Sequence, residues 1–257
     1  RREVYGGFSS RELMNFRGQL FHDMQHIIST AKLHAETFRR FKGAFRGRDV
    51  VIVGAGPSLN KYRPIAGAIH IGLNRACSFK GVKLDYFFAI DKLGVLNYYE
   101  DLARCEGIKF IGDQGVGKSG QIPESIVPKL GSNVRRYRTD GGHLSSTESA
   151  FAVDLETMPL GNFHTVAMQA LQFALYGHPR RIYLVGIDCS ANGHFDNSDA
   201  KKELSGGHAP SQAVWANAAA YDWVRAKDFI EAYYPDVEIV SVNPVGLKGL
   251  FKALGQE

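Results

Sequence analysis

Val50-Val51-Ile52-Val53-Gly54-Ala55-Gly56-Pro57-Ser58-Leu59 reads as a buried strand that runs into a glycine turn and then a helix start. Four successive β-branched apolar residues suit a strand covered on both faces. Gly54 and Gly56 lack the Cβ atoms that would block a ligand, so backbone N–H groups there can face a phosphate or a ribose. Ser58 can donate to the same anion or cap the helix. Leu59 stands where G-x-G-x-x-G has its third glycine, so the standard dinucleotide fingerprint fails. The plainer reading is a tight strand-to-helix turn that holds no ligand.

Outward from this turn, short β-branched or aromatic runs at 50–53, 68–73, 86–90, 108–111, 182–187 and 237–242 alternate with helical stretches. Two strong helical patterns, 165–176 and 211–233, separate the later strands. Continuous apolar strands are buried on both faces, which predicts an α/β, Rossmann-like domain with a mostly parallel sheet flanked by helices. That domain is expected over residues 49–257, after an N-terminal helical arm over 1–48 that is too short to bury its own core. In the arm, Ser9 and Glu12 form a capping box. Leu13, Phe16, Leu20, Met24, Ile27 and Ala31 follow at helical spacing and predict a stripe packed on the core. Gly112 to Gly142 and Asp188 to Pro210 read as two long irregular segments, of the kind that serves as lids or binding loops.

The chain of 257 residues is 44% hydrophobic and 22% charged, ordinary values for a globular protein. A net charge of +5 suits an anionic ligand, a phosphosugar or a peripheral contact with an anionic membrane surface. It is too small to indicate nucleic acid, and no RNA-binding signature, basic–aromatic repeat or zinc finger accompanies it. Arg39, Arg40, Lys42, Arg46 and Arg48 form the densest basic cluster and read as a solvated helix end. No apolar run is long enough to span a bilayer and no secretion signal opens the sequence, although a chain that starts at Arg1 is expected to be trimmed. Cys77, Cys105 and Cys189 are odd in number and widely spaced, which predicts free thiols and a cytoplasmic setting.

Gly112-Asp113-Gln114-Gly115-Val116-Gly117-Lys118-Ser119 fits G-x-x-x-x-G-K-[ST]. The helix that should open at Lys118 is interrupted by Gly120, Pro123 and Pro128, so the match reads as chance. Asn74 and Asp91 follow successive strands, where open α/β sheets bind ligands, though either could simply cap the next element. Gly186-Ile187-Asp188 ends a later strand and is followed by His194, Asp196, Asp199 and His208. These residues fit proton transfer near neutral pH better than any standard metal spacing. No H-E-x-x-H, G-x-S-x-G or C-x-x-C motif is present.

Gly54-Ala-Gly-Pro-Ser-Leu59, Leu73-Asn74-Arg75, Thr165 opening a helix, Ile182 to Asp188, Gly207-His208 and Val242-Asn243-Pro244 occur in one order over about residues 49–251. In this the sequence resembles the bacterial sialyltransferases that use CMP-sialic acid. The resemblance implies a metal-independent glycosyltransferase without a resident cofactor, moving a nonulosonic acid from a CMP donor to a glycan acceptor. It places Gly54, Gly56, Ser58, Asn74, Thr165 and Asn243 at the nucleotide, and His208 as general base. Ala55 and Asp91 stand where that family usually has Asn, and Cys189, Ser190 and Phe195 lie where it has tyrosines that assist the leaving phosphate. The same turn, with a strand ending in Asp91, is also similar to the MptE-like hydroxymethyl-dihydropterin diphosphokinase group. That similarity implies ATP and magnesium, with Asp91 and Asp188 as metal ligands, or the transfer of nonulosonic sugars. A non-catalytic nucleotide-binding module is the third expectation.

Overall fold

The computed structural model describes residues 10–90, 92–113, 122–140, 149–196 and 212–255. Its centre is a sheet of eight strands, all parallel, in the order β5-β4-β3-β2-β1-β6-β7-β8. The strands are β1 (Asp49–Val53), β2 (Ile69–Leu73), β3 (Tyr86–Ala89), β4 (Ile108–Asp113), β5 (Val134–Arg138), β6 (Arg181–Val185), β7 (Glu238–Val242) and β8 (Lys252–Leu254). The helices are α1 (Ser10–Phe38), α2 (Lys92–Asn97), α3 (Tyr99–Arg104), α4 (Ala167–Tyr176) and α5 (Gln212–Tyr233). The expected α/β, Rossmann-like class is what the chain adopts. Strand order reverses at β1, whose neighbours are β2 on one side and β6 on the other, with Val53 level with Gly72 and Val185. A reversal of this kind leaves a crevice at the strands' carboxyl ends.

Alternation along each strand builds a core on both faces. Val50 and Ile52 of β1, with Ile182 and Leu184 of β6, join the cluster under α4, α5 and the end of α1. Val51 and Val53, with Tyr183 and Val185, join the opposite cluster with Leu102, Tyr62 and Phe195. On the first face Phe173 of α4 lies 4.8–6.2 Å, ring centre to ring centre, from Phe38, Phe41, Phe45, Phe88 and Phe110.

Phe38, Phe41 and Phe45 are buried in that core, so residues 38–45 form part of it. The stripe expected along α1 needs correction. Met24 and Ile27 are 52% and 55% exposed, whereas Thr30, His34, Thr37 and Phe38 face inward. Polar side chains dock the helix end on the sheet edge. The N–H of Arg138 donates to His34 Nε2 at 2.8 Å, Thr37 Oγ1 donates to Arg136 O at 2.9 Å, and His34 Nδ1 reaches Leu155 O and Met158 O. Periodicity of apolar residues cannot register a seam made from hydrogen bonds.

Strand β5, Val-Arg-Arg-Tyr-Arg, lies within a stretch expected to be irregular. Only Tyr137 of it is fully buried, and charged residues are usual on an edge strand, where they discourage pairing with another chain. The short edge strand β8 and helices α2 and α3 were likewise not expected. Gly112 and Asp113 sit inside β4, level with Tyr137 and Arg138, so the first residues of the P-loop look-alike belong to a strand. Lys118 and Ser119 of that pattern lie outside the described residues. Arg39, Arg40, Lys42, Arg46 and Arg48 are exposed, as expected of a solvated helix end. Among the described residues no helix is long and apolar enough to cross a membrane.

Candidate active site at the strand-order reversal

The turn after β1 is built against the turn after β6. Gly54 N–H donates to Val185 O at 2.7 Å and Gly56 N–H to Gly186 O at 2.8 Å. A Cβ on Gly54 would lie 2.5 Å from Gly186 O, and one on Gly56 2.5 Å from Asp188 Cγ. Both glycines therefore admit the chain itself. Ser58 donates its N–H to Asp188 Oδ2 at 2.8 Å and its hydroxyl to Asp188 Oδ1. The expectation that amides along 54–58 face a phosphate is corrected here. Three of them are committed to β6 and its turn, and the Asp188 carboxylate already occupies the anion position at the head of the 3-10 turn Pro57–Lys61. Gly54, Gly56 and Asp188 still border the crevice, while Ser58 acts from behind by fixing Asp188.

The crevice is a cleft of about 370 Å³, within the range of small-molecule sites. Its floor is the carboxyl ends of β1, β2 and β6, through Gly54, Asn74 and Gly186, and its wall is the start of α4 and the first turns of α5. Thr165 and Val166 bring the amino end of α4 to the cleft, and Thr165 Oγ1 accepts the Ala167 N–H at 3.3 Å. Trp215 and Trp223 of α5 supply the aromatic side. Asn74 Oδ1, Ser190 Oγ and Trp223 Nε1 are buried without a hydrogen-bond partner among the described residues, and all three residues line the cleft. Orphaned buried polar atoms cost roughly 1–3 kcal/mol each, so three in one cleft single it out as the candidate site. Backbone strain gathers at the same level. Asn74, Cys189 and Asn243, which follow β2, β6 and β7, have φ values of 45°, 42° and 50°, a left-handed conformation costly for residues with a side chain.

The cleft's charge is carried by Asp188 and by two histidines, His164 and His194, when they are protonated; no described lysine or arginine lines it. Its remaining positive potential comes from the amino end of α4. Burial pushes the Cys189 thiol up to about 12, so this cysteine stays protonated and unreactive. All three cysteines are free.

Sequence reading overlooked a pair in this wall. His164 Nδ1 lies 3.1 Å from Asp222 Oδ1 and 3.2 Å from Oδ2, and the His164 N–H donates to Oδ2 at 2.8 Å. Asp222 is fully buried on α5, and burial raises its pKa while the His164 hydrogen bonds oppose the rise. Fifty-eight residues separate the two, so no local pattern could have joined them. Trp215 and Trp223 were missed for the same reason.

Asn243 stands at the end of β7, its N–H donating to Leu254 O, and does not line the cleft. Asp91, Asp199 and His208 lie outside the described residues. His194 borders the cleft, and Asp196 pairs with Arg75 at 2.6 Å, drawing the segment after β6 towards the end of β2. Phe195 is buried against Phe79 and donates its N–H to Ala55 O, so this residue at a resembling family's tyrosine position anchors the loop instead of facing the cleft. Among the described residues no three His, Cys, Asp or Glu side chains converge as a metal site.

A family model described as "6-hydroxymethylpterin diphosphokinase MptE-like" matches residues 21–194. No curated protein matches the sequence. Two solved structures are similar at 15% identity. The MAf glycosyltransferase from Magnetospirillum magneticum covers 96% of this chain at a TM-score of 0.48, and the present chain spans only 42% of its length. The sialyltransferase CstII from Campylobacter jejuni, in complex with the substrate analogue CMP-3FNeuAc, covers 80% of this chain, and 86% of its own is matched, at a TM-score of 0.45.

Proposed function

The chain belongs to the MptE-like family, and from that premise we propose that it is a nucleotide-dependent transferase. Its donor in this reading is a CMP-activated sugar of the nonulosonic acid type, passed to a glycan hydroxyl without a metal. The observation that carries the reading is the cleft at the strand-order reversal, with Asn74 Oδ1, Ser190 Oγ and Trp223 Nε1 buried and unpartnered around it. The base and ribose lie across the ends of β1 and β2, where Asn74 reads a ribose hydroxyl or a base amino group. The phosphate lies at the amino end of α4, near Thr165, where the helix dipole favours negative charge as the sugar–phosphate bond breaks.

A second reading, transfer of a diphosphate from ATP with magnesium, is favoured by the family's description and by a cleft without described lysine or arginine. A cation is then the natural counter-charge to a diphosphate, with Asp188 and Asp91 the residues to hold it.

Thermal unfolding with CMP, CDP, UDP, GDP and ATP, each with and without magnesium, separates the two. A ligand at about 100 times its Kd adds about 2.7 kcal/mol to the native state, or roughly 5–10 °C in a domain of this size. The expected result is stabilisation by CMP or CDP without magnesium. Stabilisation by ATP only with magnesium selects the second reading, and no shift with any nucleotide overturns both.

A further inference from the structure

We propose that His164, oriented by Asp222, is the general base of the transfer reaction. This deepens the reading of the cleft as a transferase site and rests on it. Three observations converge. His164 lies three residues before the first residue of α4 and lines the cleft with Thr165 and Val166. Its Nδ1 lies within hydrogen-bonding distance of both oxygens of the Asp222 carboxylate, and the residue lines the cleft. Asp222 also accepts the His164 backbone N–H, so the carboxylate fixes the position of the residue as well as the tautomer of the ring. Trp215 meets the His164 ring edge-on at 6.2 Å and is 39% exposed, forming the rim over which an acceptor enters.

A buried carboxylate on Nδ1–H keeps the proton on that nitrogen and leaves Nε2 as the basic atom. The acceptor hydroxyl gives its proton to Nε2 as its oxygen bonds to the anomeric carbon. The bond from that carbon to the phosphate oxygen breaks, and the electron pair leaves with the nucleotide. Asp222 stabilises the imidazolium formed, which returns its proton to solvent. Asp222 is therefore a positioning residue and His164 the catalytic one. In this proposal His164, and not the His208 that the resemblance implies, takes the proton.

The test uses the full chain and a CMP-activated nonulosonic acid, with release of CMP as the readout. His164→Ala is expected to keep the CMP-induced rise in melting temperature, to lose 10²–10⁴-fold in turnover, and to regain at least tenfold when imidazole is added. Asp222→Asn is expected to lower kcat while leaving the donor KM within twofold, a split that mere loosening of the fold does not give. A His164→Ala protein within threefold of wild-type turnover overturns the proposal, as does one that melts normally, is slow and gains nothing from imidazole. If wild-type protein releases no CMP from that donor, the transfer reading itself has failed, and diethyl pyrocarbonate still judges the dyad. Modification of His164, slowed severalfold by Asp222→Asn and blocked by CMP, supports the oriented Nε2, and an unreactive His164 overturns it.

Discussion

The two ends of α4 differ as sharply as any two regions of this molecule. At its carboxyl end Tyr176 O accepts the Gly43 N–H at 3.0 Å and Gly177 O accepts the Phe45 N–H at 2.8 Å. Phe45 seals that end with 1% of its surface exposed, and Phe38, Phe41 and Phe173 pack around it. At the amino end, His164, Thr165 and Val166 border the cleft where Asn74, Ser190 and Trp223 keep unpartnered polar atoms. One end contributes stability through dense aromatic packing. The other gives some of it up, through orphaned polar atoms and left-handed backbone, in exchange for a surface ready for a ligand.

The comparison breaks most visibly at Phe173. Phe173→Ala removes the ring shared by Phe38, Phe41, Phe45, Phe88 and Phe110, and is expected to cost about 3–5 kcal/mol. Melting temperature should fall by roughly 6–20 °C for a domain of this size. The added stabilisation by CMP should survive below the new midpoint, because the ring lies away from the cleft lining. Loss of the CMP response in still-folded protein would show that the two ends are coupled.

Asn74→Gly probes the other end. The substitution relieves a backbone at φ 45° and removes a buried acceptor without a partner. The variant should melt at or above the wild-type temperature yet bind CMP about tenfold more weakly, a loss of about 1.4 kcal/mol. Calorimetric titration with CMP measures the second effect. A variant that melts lower and binds as well as wild type would make Asn74 a structural residue.

The smallest effect is a pH dependence. Burial lowers the pKa of His70, whose Nε2 lies 2.8 Å from the Tyr62 hydroxyl, and that of His178. Both histidines bind a proton more weakly in the folded protein than in the unfolded chain. The stability they contribute is complete above the ordinary histidine value of about 6.5 and declines as pH falls below it. Asp140 and Asp222, raised by burial, act in the opposite sense at lower pH, in the carboxylate range. Melting curves should therefore shift down between pH 7 and pH 5.5, and His70→Gln should flatten that slope. An unchanged slope in His70→Gln would assign the acid sensitivity elsewhere.

Much of the architecture was legible from local pattern. The runs at 50–53, 68–73, 86–90, 108–111, 182–187 and 237–242 became β1 to β4, β6 and β7, since a strand covered on both faces must be apolar throughout. Glycines and Asn74 at strand ends pointed to the end of the sheet where the strand order reverses and the cleft opens. Edge strands escaped notice. β5 carries three arginines, and an edge needs only one buried face. α1 misled for a related reason, as its seam is held by His34, Thr37 and Arg138 while Met24 and Ile27 stay exposed.

The sequence by itself determined the parallel α/β sheet, the turn after β1 and the level at which the cleft opens, because these follow from periodicity and from glycine at one turn. Only the tertiary structure decided what each group there is free to do. It spent the amides of Gly54, Gly56 and Ser58 on β6 and Asp188. It left Trp223 Nε1 without a partner and set His164 of the α4 entry against Asp222 of α5. Hydrogen bonds between residues 58 or 130 positions apart have no signature along the chain, since they exist only once the sheet has brought those segments together.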